Sequence, residues 1–298
     1  MLVCPICAEP LILTSATCSC SRGHSFDVAR EGYVNLLVGG IRGAAGDTKE
    51  MLRARRTFLE RGFYAPLSER LNALAVRYLT PGPAPRTERG AADTDVGALP
   101  AAPAMPIVLD AGCGEGYYFG RLREALNARL GAGVFSYVGI DVAKEAARLA
   151  AKRYPDIHFA VADVKSRMPV ADGSVALLLN VFAPRNPAEF ARTVATGGTL
   201  LIAIPNPRHL VELRERYGLL GIEPEKEHHI LAQLAPAFAL AESAPLEYGM
   251  DLSSEDVRQL LQMTPNARHR ERQGWQEAHH EAAQVTASFV VLAFRRAS

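Results

Sequence analysis

Residues 107–118 read Ile107-Val-Leu-Asp110-Ala-Gly112-Cys-Gly114-Glu-Gly116-Tyr-Tyr118, and this stretch decides the fold. An apolar run from Pro106 to Leu109 ends in Asp110, and three glycines follow at alternate positions. Such a run breaking into glycines predicts a buried parallel strand that turns sharply into a helix. Glycine has no Cβ, so a turn built from it takes backbone angles closed to other residues and lets a ligand approach the main chain. The ligand is therefore expected on the backbone at the carboxyl end of the first core strand.

Spacing and charge narrow the ligand. A dinucleotide fingerprint reads Gly-x-Gly-x-x-Gly and offers free N–H groups to a pyrophosphate at a helix N-terminus. Here the pattern is Gly-x-Gly-x-Gly, and Asp110 stands just before it. A carboxylate there repels a pyrophosphate but suits the cationic methionine end of S-adenosylmethionine, close to its ammonium group. A second strand, Tyr137-Val-Gly-Ile-Asp141, ends in an acid placed to take two ribose hydroxyls. A third, Ile157-His-Phe-Ala-Val-Ala-Asp163, ends in one that can accept from the adenine amino group. Three successive strand-end carboxylates behind one glycine loop resemble the class I S-adenosylmethionine-dependent methyltransferases. That resemblance implies a Rossmann-like α/β fold with a mostly parallel seven-stranded sheet. Glu115 inside the loop, and Tyr117 and Tyr118 after it, are expected at the cofactor, with helix packing the alternative for Tyr117. Cys113 reads as a buried filler, because its neighbours supply no base.

A chain of 298 residues, net charge +1 and 48% hydrophobic, holds one full α/β core and something smaller. Near-neutrality says nothing about partners. No apolar run approaches the roughly 20 residues of a membrane span. The start, Met1-Leu-Val-Cys-Pro5, lacks a basic region followed by an apolar one, so a cytoplasmic protein with no membrane partner is expected.

Four of the five cysteines fall in the first twenty residues, which points to metal instead of disulfides. Cys4-Pro-Ile-Cys7 is followed by twelve residues and then Cys20-Ser-Arg-Gly-His24. Two such knuckles place four ligands around one tetrahedral, structural Zn²⁺. Cys18 could replace Cys20, but the second knuckle would then be Cys-x₅-His instead of Cys-x₃-His, which favours Cys20. So short a segment has too little apolar surface to fold alone, and the metal would supply the difference. Residues 25–37 alternate and predict a short strand closing this zinc ribbon.

The organisation expected is a ribbon over 1–38, a loop and helical connector over 39–80, a disordered Pro/Ala-rich linker over 81–106 and the methyltransferase domain over 107–298. Residues 39–46 read as a mobile glycine-rich loop. A helix over 51–61 carries Arg53, Arg55, Arg56 and Arg61, either as a solvated face or as phosphate contacts. Helices are expected over 143–154 and 254–263, and further strands over 175–181, 197–205 and 287–294. His228, His229, His279 and His280 read as surface residues.

Several stretches together resemble the RlmA/RrmA group of 23S rRNA guanine-N1 methyltransferases: His24-Ser-Phe-Asp-Val-Ala-Arg-Glu-Gly-Tyr-Val-Asn-Leu-Leu37, Gly46-Asp-Thr-Lys-Glu-Met51, Gly62-Phe-Tyr-Ala-Pro-Leu67 and the glycine loop. Leu179-Asn-Val-Phe-Ala-Pro-Arg-Asn-Pro187 is similar to the branch that includes tylosin-resistance enzymes. The resemblance implies methylation of guanine N1 in a 23S rRNA hairpin, a link to macrolide resistance, and recognition of the RNA by the ribbon. It also implies cofactor contacts for Tyr64 and His209. Asn180 stands where amino-methyltransferases place an Asn or Asp before Pro-Pro-aromatic, although only Asn-Val-Phe-Ala-Pro is present. Its amide oxygen would hold the N1–H or amino edge of the base, and Phe182 would stack on it. A small-molecule methyltransferase and a non-catalytic RNA-binding protein with a vestigial core are the alternatives. A homodimer is left open.

Overall fold

The computed structural model describes residues 2–39, 46–80, 105–264 and 280–297. Residues 81–104 of the expected linker, 40–45 of the glycine-rich loop, and His279 lie outside the described residues. In chain order the elements are β1 (Leu11–Leu13), β2 (Thr17–Cys20), β3 (Ser25–Asp27), β4 (Tyr33–Asn35), α1 (Lys49–Glu60), α2 (Ala65–Leu79), β5 (Ile107–Ala111), α3 (Tyr117–Leu130), β6 (Ser136–Asp141), α4 (Lys144–Arg153), β7 (His158–Val161), β8 (Val175–Val181), α5 (Pro187–Thr193), β9 (Val194–Pro205), α6 (Val211–Tyr217), α7 (Lys226–Leu234), β10 (Phe238–Leu252), α8 (Ser254–Gln262) and β11 (Ala283–Arg296). No helix among the described residues is long and apolar enough to cross a membrane.

β1, β2 and β3 form a small antiparallel ribbon, and the other strands form one eight-stranded sheet in the order β10-β11-β9-β8-β5-β6-β7-β4. β11 runs antiparallel to both its neighbours, and the rest are parallel. Seven of these are the strands expected of a class I methyltransferase. The eighth is a correction to the reading of residues 25–37 as one ribbon strand. The stretch divides: Ser25–Asp27 closes the ribbon on β2, the chain turns at Gly32 (φ +96°), and Tyr33–Asn35 pairs with Phe159–Val161 of the main sheet. Tyr33 and Val34 are both buried, so this segment is apolar on both faces, as a strand in a covered parallel sheet is.

Alternation along the strands sorts side chains to two faces. Val108, Leu177, Leu179, Leu201 and Ala203 join one core with α2, α3 and α8. Ile107, Leu109, Leu178, Leu200 and Ile202 join the other, which also takes in Leu2, Leu11, Cys18 and Cys20 of the ribbon. The ribbon is therefore docked on the sheet, and the Val3 N–H donates to the Pro169 carbonyl at 3.0 Å. α1 starts at an N-cap, Thr48, whose hydroxyl accepts from the Met51 N–H at 3.2 Å, and buries Met51, Ala54, Phe58 and Leu59 on one face.

Candidate active site and metal centre

β5, buried along its whole length, delivers Asp110 and the glycine loop to the carboxyl edge of the sheet, where the strand order reverses direction. The Gly112 and Cys113 N–H groups both donate to the Ile140 carbonyl, at 2.9 and 3.0 Å, which fixes the loop across β6. Gly112 has φ +92°, and a Cβ on it would stand 2.3 Å from the Ala183 Cβ, so glycine lets the loops after β5 and β8 meet. Asp110 is 2% exposed, and its Oδ1 has no hydrogen-bond partner among the described residues. Burial, then the nearby Asp141, holds its carboxyl well above the usual range. A buried carboxylate oxygen with no donor is costly, and a cation relieves it. The ammonium of S-adenosylmethionine is such a cation, so the residues fit that cofactor.

Asp141 is more heavily engaged than its position at a strand end implies. Its Oδ2 accepts from the Gly114 N–H and its Oδ1 from the Ala143 N–H, both at 2.8 Å, so it ties the glycine loop to the start of α4. Each oxygen keeps one further lone pair for a ribose hydroxyl. Asp163 lies beyond the end of β7, and its Oδ1 accepts from the Lys165 N–H at 2.9 Å, which shapes the turn there. Glu115 is 2% exposed; its Oε2 accepts from Arg56 Nε at 3.0 Å and its Oε1 has no partner. Burial outweighs Arg56 and leaves its carboxyl raised.

The arginines of α1 and its C-cap divide between ion pairs and an exposed position. Arg55 pairs with Asp47 at 2.5 Å and donates to the Met263 carbonyl at 3.2 Å; Arg56 pairs with Glu115, and Arg61 with Asp256 at 2.9 Å. Only Arg53 lies on the exposed face without such a pair. No spacing in the sequence marks Arg56 as a neighbour of the loop, because its partner, Glu115, comes from a distant element.

Next to the loop is an aromatic chamber. Phe182 has φ +54°, unusual for a residue with a side chain, and is 43% exposed. Its ring centroid lies 5.5 Å from Phe289, 6.3 Å from Tyr118 and 6.5 Å from Tyr64. Asn180 is fully buried, and its Nδ2 donates to the carbonyls of Ala111 at 2.8 Å and Pro184 at 3.0 Å, leaving Oδ1 without a partner. The Ser288 N–H donates to His209 Nδ1 at 3.2 Å, so the ring proton sits on Nε2, 3.3 Å from the Tyr64 hydroxyl. Burial pushes the His209 pKa down to about 3, which keeps the imidazole neutral. Burial likewise raises Tyr64. The Tyr118 hydroxyl is buried with no partner, whereas Tyr117 packs in the core with the Arg121 guanidinium 5.5 Å from its ring centroid. Cys113 is buried, as expected of a filler.

In the ribbon, the ligand atoms of Cys4, Cys7, Cys20 and His24 all lie within 4.8 Å of one another. Cys7 Sγ is 3.6 Å from Cys20 Sγ, and His24 Nδ1 is 3.6 Å from Cys4 Sγ and 3.5 Å from Cys20 Sγ. A tetrahedron with Zn–S bonds of about 2.3 Å has edges of about 3.8 Å, so the cluster has the dimensions of a zinc site. Burial works against ionisation of Cys20, but hydrogen bonds from the Arg22 and His24 backbone and the His24 ring outweigh it and lower the thiol to about 6. Cys18 lies outside the cluster, fully buried in the core against the sheet.

Residues 2–38 match the RlmA N-terminal zinc-ribbon family and residues 108–198 a methyltransferase domain family. The chain is 38% identical over 270 residues to the 23S rRNA (guanine(748)-N1)-methyltransferase of Streptomyces fradiae, covering 91% of this chain and 86% of that one. A protein of Micromonospora griseorubida named for 23S rRNA guanine-N1 methylation is 39% identical over 272 residues, covering 90% and 87%. A similarly named protein of Bacillus subtilis is 31% identical over 280 residues, covering 90% and 86%.

Proposed function

The chain belongs to the RlmA-type 23S rRNA (guanine-N1)-methyltransferases, and we propose that it methylates N1 of the guanine equivalent to the one for which its Streptomyces fradiae relative is named. S-adenosylmethionine, when bound, supplies an electrophilic methyl group. The chain's own residues orient the two partners. In this reading Asp110 faces the cofactor ammonium, Asp141 the ribose and Asp163 the adenine. Gly112, Gly114, Glu115 and Gly116 form the bed beneath it. Tyr64 and His209 act as one hydrogen-bonded unit at its methionine end. Asn180 and Phe182 meet the base, and the zinc ribbon holds the RNA hairpin by shape and backbone.

The observation that carries the donor side is the buried, partnerless Asp110 Oδ1 beneath the glycine loop. Family membership carries the acceptor side. The likeness of residues 179–187 to the tylosin-resistance branch supports the choice of guanine. Loss of the N1 proton removes a Watson–Crick donor, so primer extension on a methylated 23S rRNA hairpin stops at that base. A stop at one guanine is expected with enzyme and cofactor together. Its absence, with the cofactor shown to bind, would overturn the RNA assignment.

A further inference from the structure

We propose that Tyr118 and Asn180 read the two exocyclic groups flanking N1 of the target guanine, the Tyr118 hydroxyl donating to O6 and Asn180 Oδ1 accepting from the 2-amino group. This rests on the guanine-N1 reading above and goes beyond it by assigning base discrimination to a pair of atoms. Both atoms are buried and have no partner among the described residues. The Asn180 atom has a fixed polarity, and the Tyr118 hydroxyl is able to donate. Asn180 Nδ2 is held by two carbonyls, which can only accept, so the atom left over is the oxygen. Burial holds the Tyr118 hydroxyl well above its ordinary range, so it stays protonated and able to donate. Asn180 lies on β8 two residues before Phe182, and Tyr118 packs edge-on to Phe182, so the chain segment carrying the exposed ring on which a base can stack is common to both.

An acceptor for the 2-amino group and a donor for O6 match guanine, and adenine leaves the acceptor without a partner. Guanine presents O6, N1–H and a 2-amino group in that order; adenine presents an amino group at position 6 and nothing at position 2. Contacts to O6 and to the 2-amino group also leave N1 itself open to the methyl group. As the N1–C bond forms, the sulfonium C–S bond breaks with its electrons remaining on sulfur, and the N1 proton passes to solvent water. Charge left by that proton spreads onto O6, where a buried hydroxyl donor stabilises it.

The test uses the full-length zinc-loaded protein with an RNA hairpin carrying guanosine or inosine at the target, inosine lacking only the 2-amino group. The wild type is expected to lose about tenfold or more in kcat/KM on inosine. Tyr118→Phe, which keeps the ring packing, is expected to lose about 10- to 100-fold on guanosine. Its activity limb moves to higher pH, because N1 is harder to ionise, while the Kd for S-adenosylmethionine measured by calorimetry stays unchanged. Equal wild-type rates on inosine and guanosine would overturn the pair, as would a Tyr118→Phe defect confined to cofactor affinity. Wild-type N1-methylguanosine alongside an indifferent Tyr118→Phe overturns this pair alone. If the wild type forms no N1-methylguanosine, the guanine-N1 reading falls and the pair falls with it.

Discussion

Replacing Asp110 by Asn separates what this carboxylate does for the cofactor from what it costs the fold. Asp110 is 2% exposed and Oδ1 lacks a donor, so the unliganded protein must either bury an uncompensated charge or keep a proton on this carboxyl. Asn has the same shape and no charge, and the unliganded variant is expected to gain on the order of 1 kcal/mol, or a few degrees in Tm. The sign follows from the raised carboxyl: the folded state holds a proton that the unfolded state has released. Unliganded stability therefore falls as pH rises from the ordinary carboxylate range through the raised folded pKa, and Asp110→Asn removes that fall. Cofactor binding moves the opposite way. Loss of one charge-assisted contact in a buried site costs about 1.5–3 kcal/mol, or roughly 10- to 150-fold in Kd. Because the cation favours the ionised carboxylate, wild-type binding should tighten as pH rises and release a proton. Calorimetry in buffers of different ionisation enthalpy measures both quantities, and thermal denaturation measures the first. Equal cofactor affinity in the two proteins, or a variant less stable than wild type when unliganded, would refute the reasoning.

Three further outcomes follow from the same geometry. Cys20→Ser should abolish stoichiometric zinc, and Cys18→Ser should retain it with only a modest loss of stability, as read by metal analysis of the purified proteins. Arg56→Ala leaves Glu115 buried without its partner; since Arg56 is itself 35% exposed, a loss of about 1–2 kcal/mol in denaturant-melt stability is expected. Gly112→Ala combines a left-handed backbone with a clash against Ala183 and should cost about 2 kcal/mol or more, seen as a lower Tm and lost cofactor binding.

The glycine loop, the first three core strands and the four zinc ligands could be read in the sequence because each is set by local pattern: an apolar run, an acid, glycines or a ligand spacing. Cys20 over Cys18 also followed from spacing alone, and the cluster has it so. β10 was not read: Pro245 interrupts it, its first half is largely exposed and its register shifts between Leu240 and Glu242, although Ala244, Leu246, Tyr248, Met250 and Leu252 do alternate with exposed residues. The α1 arginines show the other limit. Charges spaced along a helix announce a polar face, but their partners, Glu115 on the glycine loop and Asp256 on α8, are brought near only by tertiary packing. The sequence reading offered the Asn180 oxygen to the base from its position, but what leaves that oxygen free, two carbonyls contributed by Ala111 and Pro184, no local pattern announces.

β4 has a consequence for anyone exchanging parts among these enzymes. Those three residues leave the metal module to guard the flank of β7, whose backbone N–H and C=O groups would otherwise be open to pairing with another chain. A chimera with its breakpoint before Tyr33 keeps the guard with the catalytic half, whereas one cut after Asn35 hands it to the donor of the ribbon. Insolubility in a ribbon-deleted protein would then report a sticky sheet margin, and say nothing about RNA.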